Sequence, residues 1–182
     1  QMVDAIGAGT DINLSNSAGN ILASSVNAAD TVMITSAAGD VTVGSVTSGT
    51  TTMISTPAGS INDAQDDTVT DISAGGLITL TAQDEIGALA TLELADGNSV
   101  DASSTLAGDV VLHGNGALTL TDVDTANGNI VVTAAGDIDA QMVDAIGAGT
   151  DINLSNSAGN ILASSVNAAD TVMITSAAGD VT

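Results

Sequence analysis

Apolar and polar residues alternate along this chain in short bursts. Ile12-Asn13-Leu14 places two apolar side chains on one face and a polar one on the other. The turn Ser17-Ala18-Gly19 ends the burst, and Ile21 and Ala23 begin a second one. A third apolar position follows five residues after Ile21, at Val26, and recurs as Val46, Val123 and Val143. A period of two is the signature of a strand with one buried face. Gly, Asn and Asp at the interruptions allow turn conformations that β-branched residues resist. The pattern predicts two or three short strands separated by tight turns, repeated many times.

The repetition has a step. Ile12, Val32 and the Ala-Gly-Asn-Ile, Ala-Gly-Asp-Val and Ala-Gly-Ser-Ile turns at 18–21, 38–41 and 58–61 align at 20 residues. Later first-strand starts fall at Ile78, Leu92, Val110, Ile130 and Ile152, with the steps near Ile78 and Leu92 irregular. A unit that recurs at this spacing and cannot bury its own apolar face must stack on its neighbours. The expected fold is all-β, a parallel β-helix (β-solenoid) with about 20 residues per coil. Regular hairpin signals and the blade motifs of a propeller are both missing.

A longer repeat encloses the short one. Residues 1–42 recur unchanged at 141–182. Residues 1–140 therefore read as one full repeat unit and 141–182 as the start of the next, within a single continuous solenoid over 1–182. At 20 residues per coil, 140 residues predict seven coils. The chain reads as a window from a longer protein, with no signal peptide in this stretch.

Composition narrows the interior. Hydrophobic residues make up 44% of the chain, yet it contains no Phe, Tyr or Trp, so the core must be thin and built from Ala, Val, Ile and Leu. There is no Lys or Arg, and the formal charge is −22. Nucleic acids and anionic membranes would be repelled, and no apolar run is long enough to span a bilayer. Without Cys, disulfides, thiolate metal sites and Cys nucleophiles are excluded.

The turns Gly108-Asp109-Val110, Gly128-Asn129-Ile130 and Gly136-Asp137-Ile138, with their Ala-Gly-Asp-Val relatives, resemble those of filamentous-haemagglutinin-like, large repetitive surface proteins of bacteria. The resemblance implies a right-handed parallel β-helix, export to the cell surface, and a role in adhesion or in a biofilm matrix. The unchanged 140-residue duplication and the missing aromatic and basic residues depart from typical adhesins. They argue against receptor binding, which leans on such side chains.

Candidate chemistry is sparse. Asp63, Asp66, Asp67 and Asp71 crowd the longest coil step, where Asp66 is expected at the place of Val26 and Val46. Four carboxylates could bind Ca²⁺; the competing reading is a solvated acidic bulge, since the spacing matches no defined Ca²⁺ loop. Asp122 with Asp124 and Asp137 with Asp139 are weaker pairs. His113, the one histidine, reads as an exposed strand residue. Asn20, Asp40 and Ser60 share a turn column and are expected to form a stacked polar ladder. The outward column Asn13, Met33, Met53, Thr79, Glu93, Val111 and Val131 carries an apolar stripe. Within it, Met33, Met53, Val111 and Val131 are candidates for self-association through lateral bundling. The Ser and Thr column Ser15, Thr35, Ser55, Thr81 and Thr133 raises an ice-binding alternative.

These readings converge on a structural filament or cell-surface stalk, secreted or surface-bound, that stacks head to tail and partners itself. No catalysis and no obligatory cofactor are expected; a Ca²⁺-stiffened adhesin segment is the alternative.

Overall fold

The computed structural model describes residues 2–182. Among the described residues there is no helix, and 22 strands pair in parallel. Apart from those at the ends of each sheet, the strands hydrogen-bond to their counterparts one coil earlier and one coil later, so the chain winds as a β-solenoid of about nine turns. Paired residues are 20 to 26 positions apart, as with Ile12 and Val32 or Thr52 and Ile78.

A ten-stranded sheet begins with Ile12–Asn16, Val32–Ser36 and Thr52–Thr56. A nine-stranded sheet begins with Met2–Ala5, Ser25–Ala28 and Val46–Ser48. A short three-stranded ribbon, Ile21–Ala23, Val41–Val43 and Ile61–Asp63, fills the corner between them in the first coils. Alternating residues point inward and stack in files: Ile34 on Ile54, Ile78 on Val100, Val110 on Ile130. These side chains are fully buried, or nearly so, and form one continuous core. The width explains the missing aromatics. Opposing sheets are filled by single layers of Ile, Leu and Val, and a ring would overfill the space.

The expected coil length holds, but the count of coils per repeat does not. Seven steps along the ten-stranded sheet lead from Ile12 through Val32, Thr52, Ile78, Val100, Leu120 and Ala140 to Ala163. Those steps consume 151 residues, against 140 for the sequence repeat. The surplus of 11 is half a coil, so the repeat closes about six and a half coils rather than seven. Ile152, the copy of Ile12, therefore lies on the nine-stranded sheet, paired with Ile130 and Val172.

The two sides of the solenoid have exchanged roles. Early coils carry one straight strand on the ten-stranded side and a bent pair, such as Ile21–Ala23 with Ser25–Ala28, on the other. Later coils carry the straight strand on the nine-stranded side, as Val110–Gly114, Ile130–Ala134 and Ile152–Asn156. Val110 continues the old corner ribbon through Ile86 to Ile61, while Gly114 continues the file of Leu94 and Ile72. One strand thus replaces two. On the opposite side, Leu118–Thr125 meets Asn98–Ser104 with a register shift after Val100, and its halves then pair with two separate strands, Ile138–Ala140 and Val143–Ala145. The shift adds one residue and bends the strand. The step of 14 from Ile78 to Leu92 marks the same event: 14 residues carry the chain only part-way round, to the other sheet.

Candidate functional site

The outer face of the exchange region is not open. From Asp63 the chain leaves the ribbon, makes a loop over 64–70, and returns at Asp71 beside Ile72–Ala74. The loop is built locally. The Asp63 carboxylate accepts from the backbone N–H of Gln65 at 3.0 Å and of Asp67 at 3.3 Å. Asp66 takes a left-handed backbone conformation, φ 50°, the one non-glycine residue to do so among the described residues. The next coil closes over the ribbon: Leu89 N–H donates to Asn62 Oδ1 at 3.1 Å, and Asp63 N–H to Ala90 O at 3.3 Å. Leu92–Leu94 then runs with all three residues buried.

Three carboxylates converge there. Asp63, Asp71 and Glu93 are 6%, 2% and 4% exposed, and each offers an oxygen within 4.8 Å of the other two. Asp71 and Glu93 are neighbours across the coil step: Asp71 N–H donates to Glu93 O at 2.8 Å, and Glu93 N–H to Asp71 Oδ2 at 2.9 Å. Glu93 Oε2 is buried with no hydrogen-bond partner. Burial pushes the Asp71 carboxyl up to about 9, and burial also raises that of Glu93. The chain has no Lys or Arg, so only protons or dissolved cations can balance this charge.

The sequence-derived candidates divide. Asp63 and Asp71 enter the cluster; Asp66 and Asp67 are exposed on the loop. The file of Val26 and Val46 continues at Ile72, not at Asp66, because the loop's extra residues are extruded before the strand resumes. Alternation predicts Glu93 in the outward column with Met53 and Val111, and nothing in that alternation shows that the residue is buried. The run Leu92-Glu93-Leu94 at a short coil step is the one signal that could have found it.

The apolar stripe also divides. Met33 and Met53 are adjacent on the ten-stranded sheet, 37% and 44% exposed. Val111 and Val131 are adjacent on the nine-stranded sheet and only partly exposed. The half-coil offset puts the two pairs on different faces. The Ser and Thr column divides in the same way: Ser15, Thr35, Ser55 and Thr81 align on one sheet, with Thr133 beside His113 on the other. His113 Nδ1 lies 2.6 Å from Thr133 Oγ1, an on-face pair with no carboxylate bonded to it. A surface groove of about 310 Å³ beside Val131, Asn153 and Met173 contains one titratable group, Asp151.

Asp122 and Asp124 join a longer acidic row. Asp101 pairs directly with Asp122, and Asp124 with Asp144. Burial raises the carboxyls of Asp101 and Asp124, with Asp122 adding to both; Ser103 Oγ donates to Asp124 Oδ1 at 2.9 Å and partly offsets the rise. Asp137 and Asp139 do not act as a pair. Asp137 Oδ1 accepts from Asn160 N–H, while Asp139 Oδ2 accepts from Gln141 Nε2.

No family model, no curated protein and no solved structure matches the chain. No helix among the described residues is long and apolar enough to cross a membrane.

Proposed function

We propose that this chain is a segment of a stiff structural filament or surface stalk, secreted or held at the cell surface, whose action is mechanical rather than catalytic. The observation that carries the reading is the unbroken ladder. Strand pairs run from Met2–Ala5 to Val172–Ser176 with every coil bonded to the next over one shared core. Such a body gains length as coils are added, each new coil bonded to the one before. The sequence supports the same reading. A 140-residue unit begins again without alteration, and the chain lacks the Lys, Arg and aromatic residues at which common proteases cut. The turn motifs that resemble those of large bacterial surface proteins fit a role in a matrix or a stalk.

The test is a length series. Chains of two, three and four 140-residue units are measured by small-angle scattering and electron microscopy. Six and a half coils at ~4.8 Å per coil lengthen the particle by ~31 Å for each added unit. A maximum dimension that stays constant, or compact particles, would overturn the reading.

A further inference from the structure

We infer that Asp63, Asp71 and Glu93 form a Ca²⁺ site that clamps the loop 63–71 to the following coil where the two sides of the solenoid exchange roles. Three observations carry this. The three oxygens lie within 4.8 Å of one another, the span across a single ion whose ligands sit at about 2.4 Å. All three residues are buried, yet Glu93 Oε2 has no hydrogen-bond partner, although an orphaned buried carboxylate oxygen is costly. And the chain contains no Lys or Arg to neutralise the group from within.

The donor set selects the ion class. Oxygen ligands without His or Cys favour hard cations. Carboxylates carried by a loop and by two different coils make an adaptable cage, which suits the flexible coordination of Ca²⁺ better than the strict octahedron of Mg²⁺. The three ligands come from separate pieces of chain: the end of Ile61–Asp63, the end of the loop, and the centre of Leu92–Leu94. Binding therefore joins the 26-residue coil step, the longest on the ten-stranded sheet, to the coil above it.

The experiment is calorimetric titration of the 182-residue chain with CaCl₂ in a sodium and magnesium background. One saturable site per chain is expected, with a rise in melting temperature followed by circular dichroism. Glu93→Gln keeps the shape and removes a ligand charge; it should weaken Kd at least ~10-fold while the strand signal persists. Asp66→Asn, on the exposed part of the same loop, should leave Kd within about 2-fold, since a remote surface charge contributes little. Equal binding in the parent and Glu93→Gln chains, or only weak non-stoichiometric binding to the acidic surface, would overturn the site. If Glu93→Gln does not fold, directly excited Eu³⁺ luminescence on the parent chain decides, by comparing decay in H₂O and D₂O. A buried site leaves the ion few bound waters; a fully hydrated ion refutes it.

Discussion

At the residue scale, the solenoid is stitched by carboxylates and amides acting as acceptors. Asn20 Oδ1 accepts from Asp40 N–H at 2.9 Å, and Asp40 Oδ1 accepts from Ser60 N–H at 3.0 Å. Asp109, Asn129 and Asp151 continue the same pattern on the later coils. The column is a ladder, as its spacing suggests, but each rung joins a side chain to the next coil's backbone rather than two side chains. This explains why Asp and Asn alternate freely: only an oxygen is needed. Asp40→Ala should cost about 1–2 kcal/mol in denaturant unfolding, and Asp40→Asn well under ~1 kcal/mol. Hydroxyls stitch in the other direction, Ser36 Oγ to Gly19 O and Thr125 Oγ1 to Gly108 O, both 2.9 Å.

The acidic row responds to pH. Asp101 and Asp124 ionise above the usual carboxylate range in the folded chain, chiefly because they are partly desolvated. In the unfolded chain they ionise near pH ~4. Between the unfolded and folded values the folded state holds more protons, so stability falls as pH rises through that window. The melting temperature should be higher near pH ~4.5 than near pH ~8, and Asp124→Asn should reduce the difference, the remainder coming from Asp101, Asp71 and Glu93. A flat profile in the parent chain would contradict the assignment.

At the element scale, the corners set the tolerance of the fold. A Cβ on Gly75 would lie 2.1 Å from Gly49 O, and one on Gly49 at 2.1 Å from Ala29 O. Successive coils touch backbone to backbone there. Gly75→Ala should force the coils apart and cost about 1–3 kcal/mol, read as a shift in the unfolding midpoint. Strand identity was legible because Ile12, Leu14, Ile21 and Val26 alternate with polar residues. The burial of Glu93 was not, since a covering loop erases the outer face that alternation assumes. The exchange of sides was hidden for another reason. The straight strand and the bent pair have the same sequence grammar on either sheet, and only hydrogen-bond register tells them apart.

At the scale of the molecule, stability is the sum of nearly equal interfaces between coils. Ile54, buried between Ile34 and Leu80, has a full complement of neighbours above and below. Ile54→Ala should cost about 2–5 kcal/mol in equilibrium denaturation.

The half-coil remainder has a further consequence for any array of these units. A sequence that repeats after a half-integral number of turns does not restore its own orientation until the second copy. The true crystallographic-style translation of such a rod is then two units, ~62 Å and 13 coils, although the gene would read as a simple repeat. Met33 faces outward on the ten-stranded sheet, while its copy Met173 faces outward on the nine-stranded one. Every outward patch therefore appears alternately left and right along the rod. A flat partner on one side meets it in every other unit, and a partner on the opposite side meets the rest. Identical building blocks would make a two-sided fibre, able to be gripped from both flanks at once, without a second kind of subunit.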